Sequence, residues 1–537
     1  MLSARWLPRP RPANPPMPLR WAALLAVCAG IIGIFAFPRF GVWPMAFVSV
    51  AAFSLAAHGQ RIRAGAALGL IYGAAFFGPL LSWTGQYVGP APWLLLAAAE
   101  ACYFAGMGAL LTVAQRLPAW PVWVGSAWVA QEAVRDRWPF GGFPWGRWAF
   151  SQASSPLRWF AALGGAPLVT FMVGLGGAGL ALAATRITEP HWPAVARALA
   201  PGLALAVAVP VLGALVALPL APPADDAGRT TTIALVQGGL PDLGLDFESR
   251  AREVLDNHVA ETMQLVAEIK AGVVPQPQLV VWPENASDVD PLTDPSARAQ
   301  ISAVVQALDA PLLVGAILPG PGENQRRNVG ILWSPTTGPG AMYAKRHPVP
   351  FAEYIPFRSV SEFVSGYAKQ VVDMVGGHGS GLLEGGPYPI GDVICFEVGY
   401  DDMVRSSVAA GAQLLVVQTN NATFGHSPET YQQLAMSQLR AVELGRTVVQ
   451  VSTTGVSAVI GPDGRIRARS GPLFTADRIV RTVPLRASDT LAERLGAIPE
   501  YVLCAVALAT LAFGMATRSR ARGTRAGAPG AEEGSSL

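Results

Sequence analysis

Residues 391–400 read GDVICFEVGY, and the fold of the C-terminal half turns on this stretch. With its flank it forms PIGDVICFE (389–397), a short apolar run bounded by proline and glycine, which predicts a buried β-strand. The run ends on Cys395, and Glu397 follows two residues later. A thiol in that place is either a small buried hydrophobe, a common fate of free cysteine, or a nucleophile held at a strand end. The stretch alone leaves both open.

Similar runs lie on either side. TTIALVQ (231–237), QLVVWPEN (278–285), PLLVGAI (311–317), QLLVVQTNN (413–421) and TVVQVST read as strands. NVGILWSP with MYAKRH, and VSAVIGPDG with its neighbour, read as antiparallel pairs, with turn chemistry at PDG (462–464). Helical periodicity covers 247–271, where Val254, Val259, Met263, Val266 and Ile269 share a face. It returns at 295–308, 401–410 and 428–444. Strands alternating with helices predict a layered α/β domain over 228–497.

Upstream the composition changes. The 537-residue chain is 51% hydrophobic and 14% charged, against about 25% charged for ordinary soluble proteins. Most of the deficit lies in long uncharged runs at 21–37, 41–57, 64–83, 92–114, 120–134, 159–184 and 198–221, with an eighth at 498–516. A span needs about 20 apolar residues, so these are candidate membrane helices, the weakest being 120–134 with Glu132. The expected order is a basic tail (1–20), a seven-helix membrane unit (21–221), the α/β domain (228–497), a closing span (498–516) and a disordered tail (517–537). Arg5, Arg9, Arg11, Arg20, Arg61, Arg63, Arg116, Arg186, Arg197 and the arginines of the C-terminal tail fall on one side of such a chain. The positive-inside rule makes that side the cytoplasm and puts the α/β domain outside it. Arg135, Arg137, Arg147 and Arg158 break the pattern, and a basic outer loop there is expected to face lipid phosphates. Net charge is +3, carried mostly by tails and loops, so no nucleic-acid partner is implied.

Cys28, Cys102 and Cys504 lie inside the candidate spans, leaving Cys395 as the one thiol of the α/β domain. That excludes an internal disulfide and a cysteine-based zinc site there. The six histidines are scattered without metal spacing, and no glycine-rich phosphate loop is present, so neither metal nor cofactor is expected. Two other polar residues end strands. Glu284 follows Trp282–Pro283, where partial desolvation suits a carboxylate to general-base work, although a lone glutamate is more often a solvated loop acid. Lys345 ends MYAKRH in a chain with only three lysines, although an edge-strand lysine is a common guard against aggregation. Together the three strand ends supply an acid, an amine and a thiol, and a thiol needs a base and a cationic neighbour to react.

WPEN, YAKRHPVPFAEYIP, GDVICFEVGYDD and TNNATFG resemble the nitrilase (carbon–nitrogen hydrolase) superfamily, whose members carry a Glu–Lys–Cys triad on an α-β-β-α sandwich. The added spans, FPRFGVWP (37–44), GGFPWGRWAFSQ (141–152) and QLRAVELGRTVVQVSTTGVSAVIGPDG (438–464) narrow the likeness to its membrane-bound acyltransferase branch. The resemblance implies a multispan α-helical membrane domain joined to a nitrilase-like sandwich. It implies Glu284 as proton acceptor, Lys345 as transition-state stabiliser and Cys395 as nucleophile, with Glu353, Phe396 and Glu397 in support. Phe396 stands where the branch often has tyrosine, and Thr423 where it often has an aromatic. The implied activity moves a fatty acyl chain from a membrane phospholipid, through a thioester, to the N-terminal amine of a diacylglyceryl-cysteine lipoprotein. The implied place is the bacterial cytoplasmic (inner) membrane, with the catalytic domain on its outer side. The triad alone also permits a membrane-anchored amidase acting on a small amide. Aromatic residues around 351–377, including Phe351, Tyr354, Phe357, Phe363 and Tyr367, would then form a lid over the site or a packed loop.

Overall fold

The computed structural model describes residues 15–186, 192–220, 228–240, 251–364 and 366–526. The tail residues 1–14 and 527–537 lie outside the described residues, as does 241–250, where the expected helix at 247–271 would begin.

Seven α-helices precede the first strand among the described residues: α1 (Leu19–Ile34), α2 (Met45–Ala57), α3 (Ile62–Leu80), α4 (Pro90–Ala114), α5 (Trp120–Arg135), α6 (Ala161–Thr185) and α7 (Trp192–Leu220). Among the described residues four stretches are long and apolar enough to cross a membrane: Ile62–Leu80, Pro90–Ala114, Pro156–Thr185 and Leu199–Leu218. Leu19–Ile34, Met45–Ala57 and Ile498–Phe513 are apolar but shorter. The expected span at 120–134 is a buried, polar-bearing helix, because α5 buries Gln131 and carries Glu132 and Arg135 into ion pairs and hydrogen bonds. Small residues set the tightest packing. A Cβ on Gly69 of α3 would lie 1.8 Å from the Phe104 carbonyl oxygen of α4, so only glycine lets these backbones meet.

The polar half is a two-sheet sandwich. Its elements are β1 (Thr230–Gln237), α8 (Ala251–Lys270), β2 (Leu279–Val281), α9 (Pro295–Leu308), β3 (Leu312–Pro319), β4 (Gln325–Ser334), β5 (Gly338–Ala344), α10 (Arg358–Val364), β6 (Asp373–Met374), β7 (Leu382–Leu383) and β8 (Ile390–Ile394). After these come α11 (Asp401–Ala409), β9 (Leu414–Thr419), α12 (Glu429–Leu444), β10 (Thr447–Ser452), β11 (Ala458–Ile460), β12 (Ile466–Arg469), β13 (Asp477–Pro484), α13 (Leu491–Leu495) and α14 (Ile498–Ala526). One sheet runs β13-β1-β2-β3-β4-β5, with β6 beside β4, and the other runs β12-β11-β10-β9-β8-β7. The β1-β2-β3 and β8-β9-β10 neighbours are parallel. Strand alternation splits each run between two cores. Ile233, Leu235, Leu279, Val281 and Leu313 meet Ile390, Ile394, Leu414, Val416, Val449 and Val451 between the sheets. Ala234, Val236, Val280 and Leu312 face α8 and α9 on the other side. Burial on both faces is why these strands read as unbroken apolar runs.

The outer layer of the second sheet is shared with the membrane unit. Val398, Leu434, Met436, Leu439 and Val442 belong to one continuous core with Phe53, Phe76, Trp128 and Trp148. The sandwich is thus packed on the apolar helices rather than hung from a linker. Helix α14 continues through residues 517–526, where a tail was expected to start.

Candidate active site

Glu284, Lys345 and Cys395 are brought together at three strand exits. Glu284 leaves β2 after Trp282–Pro283 and is buried. Its Oε1 accepts from Lys345 Nζ at 3.2 Å and Asn328 Nδ2 at 2.6 Å, while Oε2 accepts the Asn420 backbone N–H at 2.8 Å. Its charge also acts on the neighbouring Cys395 thiol. Lys345 directly follows β5, is 2% exposed, and donates to Glu353 Oε1 at 2.8 Å. Glu353 is fixed in turn by the Val349 N–H at 2.7 Å.

Burial pushes the Glu284 carboxyl above its ordinary pKa, opposed by the Lys345 charge and reinforced by Glu353. Burial alone would lower the Lys345 pKa, but the Glu284 and Glu353 carboxylates outweigh it and hold the ammonium charged. Burial and the Glu284 charge push the Cys395 thiol up, so the resting sulfur is protonated. A nucleophile in that state needs a base at the moment of attack, and among the described residues Glu284 is the carboxylate that acts most strongly on the thiol.

Cys395 opens a 3-10 turn, Cys395–Gly399, with φ of +55°. Left-handed backbone at a β-branched-strand exit costs a non-glycine residue about 1 kcal/mol or more and persists only when neighbours impose it. Two braces do so. Glu397, fully buried, accepts the backbone N–H groups of Ile394 (2.9 Å), Arg346 (2.7 Å) and His347 (3.2 Å) and the Tyr343 hydroxyl. It thereby ties the nucleophile turn to the lysine strand. Arg440 of α12 donates to the carbonyls of Val398 and Gly399, both at 2.9 Å.

Arg440 also pairs with Asp401 (2.8 Å), and Asp401 takes a two-pronged contact from Arg147 at 2.8 and 3.1 Å. Arg147 reaches Asp136 (3.1 Å) and Glu132 (3.5 Å), and Arg135 reaches Glu100 (3.1 Å). Burial would raise the Asp401 pKa, but Arg147 and then Arg440 hold it well below the carboxylate range. The expectation that this basic loop faces lipid phosphates therefore fails for Arg135 and Arg147, whose charges are spent on buried acids. Arg137 is likewise paired with Glu500 of α14.

Phe396 stacks on Trp145 from the loop after α5, with centroids 5.5 Å apart and planes 12° apart. Beyond Lys345, Phe357 is 73% and Phe363 93% exposed, and Phe140 meets both Phe351 and Phe357 edge-on. The 351–363 segment thus presents exposed aromatic rings, while Phe351 and Phe357 also pack on Phe140. Sequence reading assigned no role to Asn328, Thr419, Gln433 or Arg440. A usable signal was TNN at the end of β9, since a neighbouring parallel strand must end beside Cys395. Among the described residues no cluster of histidine, cysteine and carboxylates could hold a metal.

Residues 232–492 match the carbon–nitrogen hydrolase family, the class that this two-sheet fold and its strand-end site define. Residues 29–179 match the N-terminal domain of apolipoprotein N-acyltransferase. The chain is 40% identical to an apolipoprotein N-acyltransferase of Mycolicibacterium smegmatis over 92% of its own length and 85% of that protein's. It is 31% identical to one from Pseudomonas syringae pv. tomato, over 86% and 89% of the two chains. Among solved structures it is similar to a nitrilase-superfamily amidase of Nesterenkonia AN1, at 22% identity and a TM-score of 0.37, covering 49% of this chain and 93% of the amidase. The chain belongs to the apolipoprotein N-acyltransferase family.

Proposed function

We propose that this protein N-acylates lipoproteins, taking an acyl chain from a membrane phospholipid and passing it through a thioester on Cys395. One observation carries the reading: a buried carboxylate and a buried ammonium meet a thiol at strand exits, in a sandwich packed on membrane-length apolar helices. In the first half-reaction Glu284 takes the proton from the thiol, and the sulfur attacks the ester carbonyl. The C–S bond forms and the ester C–O bond breaks. Lys345 stabilises the oxyanion, and Glu284 returns the proton to the leaving lysophospholipid oxygen. In the second half-reaction the lipoprotein's α-amine attacks the thioester. The C–N bond forms, the C–S bond breaks, and a proton passes through Glu284 to the sulfur.

Both substrates are anchored in a bilayer, which suits a site packed on the spans and a flap bearing Phe357 and Phe363. The one-sided arginines support an inner-membrane protein with its catalytic domain outside the cytoplasm. The test is to incubate the purified enzyme with phospholipid vesicles and a diacylated lipopeptide bearing a free amine. N-acylated peptide is the expected product. Hydrolysis of small amides with no acyl transfer would overturn the proposal in favour of an amidase.

A further inference from the structure

The proton acceptor and the ammonium account for two sides of the Cys395 sulfur. The third side is built from residues that the Glu–Lys–Cys scheme does not use. Strands β8 and β9 are parallel, with Ile394 paired to Gln418, so Cys395 and Thr419 leave the sheet side by side. The Thr419 hydroxyl lies 3.3 Å from the sulfur. From α12 the Gln433 amide nitrogen approaches it at 3.6 Å, and Gln433 is fully buried. The orientation of that amide is fixed. Its Oε1 accepts from Thr419 Oγ1 at 2.9 Å and Asn421 Nδ2 at 3.0 Å, which turns its NH2 toward the thiol. Asn421 is held by Glu429 Oε2 at 2.8 Å and by the Ser452 hydroxyl, which donates to its Oδ1 at 2.6 Å.

Resting on Cys395 as the nucleophile, we propose that Thr419 and Gln433 are catalytic residues, a donor pair that stabilises the Cys395 thiolate, and that Glu429 is a positioning residue acting through Asn421. A hydroxyl has one hydrogen to donate, and Thr419 has two acceptors within reach. While the thiol keeps its proton, that hydrogen sits on Gln433 Oε1. When the S–H bond breaks and its proton moves to Glu284, the sulfur keeps the electron pair and becomes the stronger acceptor. The Thr419 O–H then swings onto it, while Asn421 continues to satisfy Gln433. This contact is gained only as the thiolate forms, so it lowers the barrier rather than tightening the ground state. The charged or titratable groups facing the sulfur are Glu284 after β2, Lys345 after β5 with Glu353 behind it, and Glu429 on α12, with Glu397 in the nucleophile's own turn. Burial pushes Glu429 up to about 8, against the Asn421 hydrogen bond, so near neutral pH mostly a neutral acid stands behind the sulfur.

The test is the pH profile of Cys395 alkylation by iodoacetamide in the full-length enzyme. It is read on the Cys395 peptide by mass spectrometry, with Cys28, Cys102 and Cys504 as internal controls. Acylation rates from phospholipid are measured alongside. Thr419→Val and Gln433→Leu are expected to slow alkylation at pH 8 by about tenfold each, to move the profile up by about one unit, and to lower kcat with little change in KM. Thr419→Ser restores the wild-type profile. Glu429→Gln, which keeps an acceptor for Asn421, follows wild type, whereas Glu429→Leu shifts as Gln433→Leu does. Wild-type profiles in folded Thr419→Val and Gln433→Leu would overturn the proposal. If Gln433→Leu does not fold, the Thr419 pair decides alone. An enzyme that forms no acyl-Cys395 at all would instead refute the nucleophile assignment, a separate outcome.

Discussion

Replacing Lys345 by methionine removes the one ammonium in contact with Glu284 and Glu353 while keeping most of the side-chain volume. Two effects follow from the geometry. The oxyanion loses a donor, which typically costs about 10²–10³ in rate, or roughly 3–4 kcal/mol. The two carboxyls, previously 3.2 and 2.8 Å from Nζ, lose their shared counter-charge. Breaking a buried pair in this way costs about 3–5 kcal/mol of stability unless a carboxyl takes up a proton. Protonation is the cheaper course, because burial already holds the Glu284 pKa above its ordinary value and Lys345 opposes that rise. Without Lys345 it climbs further, so the base form is lost at a higher pH than in wild type and the acid limb of the rate profile moves upward. The stability sign is the same. A carboxyl with a raised folded pKa stabilises the fold below its unfolded value near 4.3 and loses that contribution as pH rises through the folded value. Lys345→Met should therefore be most stable in acid and weaken toward neutral pH. The assay is single-turnover acylation of the enzyme by phospholipid vesicles at several pH values, with thermal unfolding measured on the same samples. An acylation rate within tenfold of wild type with an unmoved acid limb would refute this account of Lys345.

Three further outcomes are expected. Glu397→Ala leaves the N–H groups of Ile394, Arg346 and His347 without their acceptor and should cost about 3 kcal/mol or more, seen as a lowered Tm together with lost acylation; an unchanged Tm would contradict the brace. Arg147→Gln and Asp401→Asn should couple by about 1 kcal/mol or more in a double-mutant cycle on unfolding, whereas additivity within about 0.5 kcal/mol would show that the membrane unit does not hold the nucleophile turn. Phe357→Glu with Phe363→Glu should slow acylation from phospholipid vesicles by about a hundredfold or more and leave a water-soluble short-chain ester unaffected, since each ring loses about 1.5–3 kcal/mol of apolar burial in lipid; equal losses on both donors would exclude a lipid-contacting flap.

The strands that carry Glu284 and Cys395 were legible because both faces are buried, which writes them as unbroken apolar runs, whereas β5, which leads to Lys345, is a half-exposed edge strand, GPGAMYA, legible only as the partner of β4. Spans such as α3 and α4 were legible for the same reason in one dimension. Helix α5 stood out as the weakest span because of Glu132, but nothing local showed that Glu132 and the following Arg135 would be paired with Arg147 and Glu100 from elsewhere in the chain. No local pattern announces such pairs. The left-handed Cys395 was illegible, since the strain comes from Glu397 and Arg440 acting on the turn rather than from the residue itself. Glu397 drew attention beside the thiol, yet it points to backbone amides and the Tyr343 hydroxyl, while the carboxylate that acts most strongly on the thiol is Glu284, more than a hundred residues upstream. Gln433 and Glu429 sit on α12, where helical periodicity gives their face but not what that face meets.

The central claim is that the acyl chain passes through Cys395. The most direct measurement is peptide mass spectrometry of the enzyme after exposure to phospholipid vesicles, before and after addition of a diacylated lipopeptide. Wild type should carry one acyl chain on the Cys395 peptide and lose it to the peptide amine, while Cys395→Ala carries none and forms no product. N-acylated lipopeptide made by Cys395→Ala would contradict the account.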